Sequence, residues 1–306
     1  MEKQPLVSIV VITYNSAEYV LETLDSALGQ TYPNIEIIIS DDCSKDNTVS
    51  LCREWINEHS SSGIAIQLLE APHNTGTAAN NNRGLKATHG EWIKFIAGDD
   101  ILMPTCVEDN IEYINNHPEA RIVFSDFVVL SGSKGDYKKN KSDYKVRTDG
   151  FFELDAEGQL LQLLYKNILP APTFFISGKV IREYGFDESY KYLEDTPLWI
   201  RLTSEGYRFS SFDKITVMYR HHESLSKSHS IFYSPLLFEC NQQFFWQERL
   251  ALIRKYELYD AYQYNRKILF IRELVDIFFN NKKTRFTNLL YKIIKKIVFK
   301  RVSFIF

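Results

Sequence analysis

Two apolar runs that do not alternate with polar residues constrain the fold of this chain more than any other feature. They cover residues 6–13 and 35–40, and both are rich in β-branched side chains. A strand with one face in water alternates apolar and polar residues, whereas a strand buried on both faces does not. Because helices cover both faces of a parallel sheet, the two runs predict central strands of such a sheet.

Helical spacing after these runs predicts a repeated order of strand and helix. Residues 17–29 place Tyr19, Val20, Leu24 and Leu28 on one helical face, so the first run, this helix and the second run form a βαβ unit. Further helices are predicted over residues 46–59 and 77–88, and further strands over residues 64–70 and 92–97. This alternation predicts an α/β fold with a doubly wound, mostly parallel sheet flanked by helices.

The pattern changes beyond about residue 128. Short strands are predicted over residues 121–129, 173–176, 208–212 and 216–219, helices over residues 152–165 and 194–205, and aromatic-rich helices over residues 231–254 and 261–279. A chain of 306 residues with 44% hydrophobic content can bury one large core and a smaller appendage, or two modest domains. We therefore predict one domain over residues 1–228, with halves 1–128 and 129–228, and a helical extension over residues 229–306.

Polar residues gather where the predicted strands end. The first strand ends in Thr13-Tyr14-Asn15, the second in Ser40-Asp41-Asp42, and the fourth in Gly98-Asp99-Asp100. The carboxyl ends of parallel strands lie at one edge of a sheet, where open α/β sheets bind ligands. Two adjacent carboxylates repel each other, and a hard divalent cation that bridges a diphosphate would stabilise them. Asp and Ser are also ordinary turn and cap residues, and we interpret Asp46 as a cap.

Several classes of site are excluded or disfavoured by what the strand ends lack. Neither the glycine-rich dinucleotide fingerprint nor the P-loop pattern follows any predicted strand. The four cysteines, Cys43, Cys52, Cys106 and Cys240, do not have the spacing of a zinc site. No secretory leader pattern precedes the first strand, so together with the scattered cysteines the sequence predicts a cytoplasmic protein.

Six ordered blocks between residues 5 and 225 resemble the family-2 glycosyltransferases, which have the GT-A fold and use nucleotide-diphospho-sugar donors. The blocks are Thr13-Tyr14-Asn15, Asp41-Asp42-Cys43-Ser44 with Asp46 and Thr48, His73-Asn74-Thr75-Gly76 with Asn82-Arg83-Gly84, Gly98-Asp99-Asp100, Leu193-Glu194-Asp195 with Leu198-Trp199, and Tyr219-Arg220-His221-His222 with Ser224 and Ser226. Cys43 departs from the family pattern, which usually has glycine at that place. The resemblance implies that residues 1–128 bind the nucleotide and residues 129–228 bind the acceptor.

The resemblance also implies donor-binding roles for individual residues. Thr13 and Asp42 would contact the nucleobase, since a carboxylate accepts a hydrogen bond from a pyrimidine imide, and Asp41 is the near alternative. Tyr14, Asn15 and Gly76 belong to the same donor-binding loops. Together they imply a nucleotide-sugar donor, with UDP as the nucleotide.

Metal and catalytic roles follow from the later blocks of the resemblance. Asp99 would face the ribose or the metal shell, and Asp100 would bind Mn²⁺ or Mg²⁺ together with the diphosphate. His222 would complete the metal site, with His221 as the alternative. Asp195 would be the general base that removes a proton from the acceptor hydroxyl, while Glu194 would position the acceptor or cap the helix.

A basic tail ends the chain. Eight of the 36 lysine and arginine residues lie in residues 282–306, which contain no aspartate or glutamate. Charges interrupt the apolar residues too often for a spanning helix, but the pattern suits a helix that lies on an anionic membrane surface. Packing against its own domain, or against a second subunit of a homodimer, is the alternative. The basic residues share no fold with aromatic stacking platforms, so no nucleic-acid partner is predicted.

Together these features predict an inverting, metal-dependent glycosyltransferase. It would move a sugar from a nucleotide diphosphate to a hydroxyl of a glycan or lipid-linked acceptor, as in bacterial surface polysaccharide synthesis, in the cytoplasm or peripherally at the inner face of the membrane. A nucleotidyltransferase is one alternative, but it would need a glycine-rich, basic triphosphate loop, which residues 13–17 do not provide. A sugar-nucleotide-binding subunit without turnover is the other, and the presence of Asp195 disfavours it.

Overall fold

The computed structural model describes residues 4–131, 138–139, 150–220 and 230–299. The chain divides into two compact units. The first comprises Met1–Leu160 and Ile168–His221, and the second comprises Leu161–Asn167 and His222–Phe306.

The first unit contains a mixed sheet. Its strands in the described residues are Val7–Thr13 (β1), Ile35–Asp41 (β2), Ala65–Glu70 (β3), Trp92–Ala97 (β4), Ile101–Leu102 (β5), Ile122–Ser131 (β6), Lys138–Lys139 (β7), Phe175–Ser177 (β8) and Phe209–Arg220 (β9). The helices up to residue 204 are Val20–Leu28 (α1), Thr48–Glu58 (α2), Thr77–Lys86 (α3), Cys106–Asn116 (α4), Ala156–Tyr165 (α5), Gly178–Tyr184 (α6) and Asp195–Ser204 (α7).

The sheet has a parallel half and a mixed half. Its strand order is β3-β2-β1-β4-β8-β6-β9-β5, and β7 pairs with β6. Strands β3, β2, β1 and β4 run parallel, whereas β8 runs antiparallel to β4 and to β6. The prediction of an α/β sheet flanked by helices, with a helical C-terminal region, is confirmed.

The burial of β1 and β2 explains why their sequences do not alternate. Every residue of β2 is buried, and in β1 only Ile12 is partly exposed. Gly84 lets α3 approach β1 closely, since a Cβ atom at this position would lie 2.4 Å from Cγ1 of Val10. The register aligns Thr13 with Asp41, so the polar ends of both strands lie side by side at one edge of the sheet.

Three local predictions differ from the structure. The two strands predicted over residues 208–212 and 216–219 form the single strand β9, because irregular pairing beside Asp126 lets the strand continue past residues 213 and 214. Helices α4 and α6 were not predicted. The helix predicted over residues 231–254 begins only at Pro235, where the fixed φ of proline suits the first helical turn and Ser234 accepts a hydrogen bond from the Leu237 amide.

The second unit is helical. Its helices, besides the end of α5, are Pro235–Phe244 (α8), Leu250–Lys255 (α9), Tyr259–Phe279 (α10) and Arg285–Phe299 (α11), and a π-helical segment, Phe245–Arg249, joins α8 to α9. Asn265 in α10 donates to the Leu164 carbonyl and accepts from Arg249, which fixes the end of α5 within this unit. In the described residues, no helix has both the length and the apolar content needed to cross a membrane.

Candidate functional site

The ends of β1 and β2 are joined by the buried carboxylate of Asp41. Its Oδ2 accepts a hydrogen bond from the Thr13 hydroxyl at 2.9 Å and another from the Ser44 hydroxyl, and its Oδ1 accepts from the Ser44 amide at 2.8 Å. Thr13 and Asp41 are almost completely buried. Asp41 therefore serves the turn that follows β2, which leaves its carboxylate little capacity for a ligand.

The loop after β1 is held against the loop after β2. The side-chain oxygen of Asn15 accepts a hydrogen bond from the Lys45 backbone amide at 2.7 Å, and the Asn15 backbone amide donates to the Ser44 hydroxyl at 2.8 Å. Asp46 accepts from the Ala17 amide and from Thr48 at the start of α2, which agrees with its interpretation as a cap. Burial raises the pKa of Asp46, but these hydrogen bonds outweigh it and hold the pKa below its usual value. Tyr14, in contrast, is 48% exposed at the same sheet edge.

Cys43 stands in this loop with a left-handed backbone, at a φ of 66°. A side chain with a Cβ costs roughly 1–2 kcal/mol in that region, whereas glycine adopts it freely but loses more entropy on folding. The left-handed backbone therefore gives a steric reason for the glycine that the family pattern usually has at this position.

We expect Cys43→Gly to be more stable than Cys43→Ala by roughly 1 kcal/mol, measured as the free energy of unfolding in urea. Both variants lose the contacts of the Cys43 sulfur with Lys45 and with the Pro72 carbonyl, so their difference isolates the backbone strain. Equal stabilities of the two variants would contradict the left-handed conformation.

The carboxylate of Asp42 is directed into the protein and accepts several hydrogen bonds there. Oδ2 accepts from the Gly76 amide at 2.7 Å, Oδ1 accepts from the Thr75 amide at 2.9 Å and from the Thr75 hydroxyl, and Arg83 lies 3.4 Å away. A carboxylate has about four acceptor sites, so these donors nearly saturate it. Contact between Asp42 and a nucleobase stays a prediction. It would require movement of the loop between β3 and α3 that contains Thr75 and Gly76, here called the Thr75 loop.

Gly76 can form this contact because it has no side chain. Its φ is 93°, and a Cβ atom would lie 2.6 Å from the backbone oxygen of Lys191. Thr75 and Arg83 also line a cavity of about 430 Å³. Movement of the Thr75 loop would therefore change both the cavity and the surroundings of Asp42.

Asp100, beyond the end of β4, has one satisfied and one unsatisfied carboxylate oxygen. Its side chain is buried, Oδ1 accepts from the Arg220 amide at 2.8 Å, and Oδ2 has no hydrogen-bond partner in the described part of the chain. Burial and the neighbouring Asp99 raise the pKa of Asp100 well above its usual value, against the opposing charges of Arg220 and Lys94. An anionic oxygen buried without a donor is costly, so Oδ2 is suited to a cation.

Arg220 fixes the neighbourhood of the two aspartates. Its Nε donates to the Asp99 carbonyl at 2.6 Å, its Nη2 donates to Glu22 at 2.8 Å, and its guanidinium lies 4.3 Å from the centre of the Tyr19 ring. The guanidinium therefore stabilises the loop after β4 that contains Asp99 and Asp100. His221 and His222 lie outside the described residues, as do Ser224 and Ser226.

A buried lysine near this site was not predicted as functional. Lys94 lies in β4, is fully buried, and donates from Nζ to the carbonyls of Pro172 at 2.6 Å and Phe174 at 3.2 Å. Burial lowers the pKa of Lys94 to about 8. The only sequence signal was a lysine in the middle of an otherwise apolar run, and its partners are about 80 residues away.

Asp195 is the first residue of α7. Its Oδ1 accepts from the amide and the hydroxyl of Thr196, and a carboxylate at a helix N-terminus is stabilised by the helix dipole. Glu194 occupies the N-cap position, but its side chain makes no capping hydrogen bond. Burial, with a contribution from Asp195, raises the pKa of Glu194 to about 8.

Seven of the predicted residues thus form two adjacent groups at one sheet edge, and Asp195 at the start of α7 belongs to neither group. Thr13, Asn15, Asp41, Asp42 and Gly76 are joined by the loops after β1, β2 and β3, whereas Asp99 and Asp100 are held by Arg220. Gly98 connects the groups, because its amide donates to the Ile12 carbonyl at 2.8 Å and a Cβ atom there would lie 2.8 Å from Thr13. In the described residues, no three His, Cys, Asp or Glu side chains are grouped closely enough to hold a metal by themselves.

Comparison with known proteins identifies the family. The model of Glycosyl transferase family 2 matches residues 8–179, more than half of the chain. An uncharacterized glycosyltransferase of Rickettsia typhi is 32% identical over 225 residues, which make up 73% of this chain and 64% of that protein. The chain thus spans just under two thirds of this relative's length. The Escherichia coli UDP-Glc:alpha-D-GlcNAc-diphosphoundecaprenol beta-1,3-glucosyltransferase WfaP is 28% identical, over 71% of this chain and 78% of WfaP.

Solved structures share the fold. TarS 1-349 of S. aureus in complex with UDP-GlcNAc has a TM-score of 0.56 at 20% identity, over 81% of this chain and 74% of that chain. The mannosyltransferase PcManGT from Pyrobaculum calidifontis, in complex with GDP-Man and Mn²⁺, has a TM-score of 0.55 at 16% identity, over 99% of this chain and 71% of that chain. The family match leads to one conclusion: this chain belongs to glycosyltransferase family 2.

Proposed function

We propose that the protein is an inverting, metal-dependent transferase that moves a sugar from a UDP-sugar to a hydroxyl of a glycan or lipid-linked acceptor. The observation that carries this proposal is the buried Oδ2 of Asp100, a carboxyl oxygen without a donor in the described residues, at the sheet edge that also carries Thr13 and Asp42. The names of two similar proteins support the donor, since one is a UDP-Glc transferase and the other was solved with UDP-GlcNAc.

The residues present fit a divalent cation. Asp100 Oδ2 and the adjacent Asp99 would supply the hard oxygen ligands that Mn²⁺ and Mg²⁺ prefer, and we propose His222 as a further ligand. A bound cation would neutralise the charge that develops on the leaving nucleoside diphosphate. The complex of PcManGT with Mn²⁺ supports manganese as one candidate.

The chain's own residues would orient the reactants and move one proton. We assign Asp195 as the general base, because its carboxylate stands at the start of α7, anchored through Oδ1 on Thr196. It would accept the proton of the acceptor hydroxyl while that oxygen attacks the anomeric carbon. A single displacement at that carbon inverts its configuration, so no covalent sugar intermediate on the protein is needed.

Donor binding would use the residues at the ends of β1 and β2. Tyr14 is exposed at this edge and is available to the donor, whereas Asp42 becomes available only when Thr75 and Gly76 release it. We propose this release as part of donor binding. It gives residues 1–128 the nucleotide-binding role and leaves residues 129–228, which contain Asp195, for the acceptor.

The acceptor is proposed to be lipid-linked, because the name of WfaP specifies a diphosphoundecaprenol acceptor. A lipid-linked acceptor is presented at a membrane surface, so the proposal places the protein at the inner face of the membrane, in the synthesis of a surface polysaccharide. A homodimer is the competing use of the basic tail, and the vesicle experiment described below distinguishes the two.

A thermal-shift screen of nucleotide sugars, with and without Mn²⁺, tests the proposal. A ligand that binds the folded state raises the melting temperature by mass action, and 100-fold excess over Kd adds about 2.7 kcal/mol. We expect UDP to stabilise the protein only when the metal is present. Metal-independent stabilisation by UDP would contradict the metal site. Turnover, followed by the NMR signal of the anomeric proton in the product, separates a transferase from a binding subunit and from a nucleotidyltransferase.

A further inference from the structure

Helix α11 exposes a row of large apolar side chains. Phe286, Leu289, Ile293 and Ile297 are 69%, 58%, 46% and 66% exposed. Their spacing of three and four residues places them on one face of the helix. Soluble proteins rarely leave a contiguous apolar patch of this kind uncovered unless it binds something.

The opposite face of α11 is already packed within its unit. The ring of Tyr291 lies 4.9 Å from that of Phe232, and the ring of Phe299 lies 5.6 Å from that of Tyr264 in α10. With about 100° of rotation per residue, Tyr291 and Phe299 project roughly opposite to the exposed row. The helix is therefore anchored by one face, which leaves the apolar row available to a partner.

A basic row borders the apolar row. Arg285, Lys292 and Lys296 are exposed, and their spacing of seven and four residues places them along one line. Lys292 follows Leu289 by three residues and Lys296 follows Ile293 by three residues, so the two rows are neighbours. No acidic residue occurs from Lys282 to the end of the sequence, although the whole chain has a formal charge of −3.

This combination specifies one kind of partner. The core of a protein interface is depleted of lysine, and a nucleic acid would not need four exposed aliphatic and aromatic side chains in a row. A membrane with anionic lipids satisfies both rows, because the apolar side chains enter the acyl boundary while the lysines meet the headgroups. We propose that α11 docks the protein on an anionic membrane surface through Phe286, Leu289, Ile293 and Ile297.

The docking surface deepens the proposed function, since it would keep the transferase where a lipid-linked acceptor is found. Its test does not depend on sugar transfer. Failure to bind vesicles would contradict the docking surface but not the roles proposed for Asp100 and Asp195. A protein that binds vesicles but transfers no sugar would contradict the proposed function but not the docking surface.

The measurement is sedimentation with vesicles of phosphatidylcholine, with and without about 30% phosphatidylglycerol. The anionic lipid gives the vesicles a negative surface potential like that of an anionic leaflet. We expect the full chain to bind the anionic vesicles and to leave them as salt increases. Lys292→Gln with Lys296→Gln should weaken binding roughly 25-fold, at about fivefold for each charge near the surface. Leu289→Ser with Ile293→Ser should weaken it by about tenfold or more at all salt concentrations.

The matched control is Arg254→Gln with Lys255→Gln, which removes two exposed charges from α9 in the same unit. This control should bind like the wild type, and all variants should keep their melting temperature because the altered side chains are exposed. Equal loss in the control would show nonspecific attraction and overturn the proposal. A wild-type dimer in light scattering that Leu289→Ser with Ile293→Ser converts to a monomer, without vesicle binding, would also overturn it.

Discussion

Asp195→Asn is expected to lower kcat for sugar transfer by about 10³-fold while leaving the affinity for the donor unchanged. General-base catalysis contributes about 10²–10⁴-fold to a reaction, and an amide cannot accept the proton of the acceptor hydroxyl. The donor should still bind, because the residues proposed for it lie at the ends of β1, β2 and β4. The measurements are kcat from release of nucleoside diphosphate and donor Kd from calorimetry with Mn²⁺.

The asparagine variant should fold normally. Oδ1 of Asp195 accepts from the amide and hydroxyl of Thr196, and the amide oxygen of asparagine can accept both hydrogen bonds. The start of α7 is therefore kept while the negative charge is removed. An unchanged melting temperature would confirm that the loss of activity is chemical.

Glu194→Gln is the matched control, since it makes the same chemical change one residue earlier. Burial and the neighbouring Asp195 raise the pKa of Glu194 to about 8, so most of the protein carries a protonated Glu194 at neutral pH, and a protonated acid cannot serve as a base. We expect this variant to keep most of its activity. Full activity in Asp195→Asn, with loss in Glu194→Gln, would transfer the role of the base to Glu194.

The strand skeleton could be predicted because it follows from local pattern. The residues predicted for β4, 92–97, are those observed, and β1 and β2 differ from the predictions by one residue at one end. Continuous runs of β-branched residues indicate strands that are buried on both faces. The order of strands and helices then determines the sheet edge where Asp42 and Asp100 lie.

The missing parts depend on residues far apart in the chain. Nothing near Lys94 in sequence indicates that its ammonium will be buried against the Pro172 and Phe174 carbonyls. Likewise, the position of Asp42 at a strand end predicted a carboxylate that is available to a ligand. In the structure this carboxylate instead accepts hydrogen bonds from the amides of Thr75 and Gly76, in the loop after β3. Helix α4 is a different case, because its buried apolar residues Val107, Ile111 and Ile114 have helical spacing that the sequence alone shows.

Gly98-Asp99-Asp100 joins local prediction to tertiary structure. The sequence placed two adjacent acids at a strand end, and the structure adds that they are held differently. Nε of Arg220 donates to the carbonyl of Asp99, and the Arg220 amide donates to Oδ1 of Asp100, while Oδ2 of Asp100 has no donor in the described residues. This asymmetry makes Asp100 the sharper target for substitution.

Asp100→Asn should abolish metal-dependent donor binding, with a loss in donor affinity of at least about 100-fold in the presence of Mn²⁺. The amide keeps an oxygen for the Arg220 amide, as Oδ1 does now at 2.8 Å, but it presents a neutral NH₂ group where the ion would be bound. The donor diphosphate would lose the cation that neutralises its charge, and a 100-fold loss in affinity corresponds to about 2.8 kcal/mol. Calorimetric titration with UDP, with and without Mn²⁺, gives the affinities.

The same variant should be more stable than the wild type when metal is absent. Burial raises the pKa of Asp100, which means that its ionised form costs folding energy at neutral pH, and a neutral amide removes about 1 kcal/mol or more of that cost. Asp155→Asn is the control, because this exposed carboxylate already accepts from the Gly158 amide at 2.8 Å and loses little when it becomes an amide. A metal-free Asp100→Asn protein that unfolds at lower urea than the wild type would show that Asp100 stabilises the fold and is not reserved for a cation.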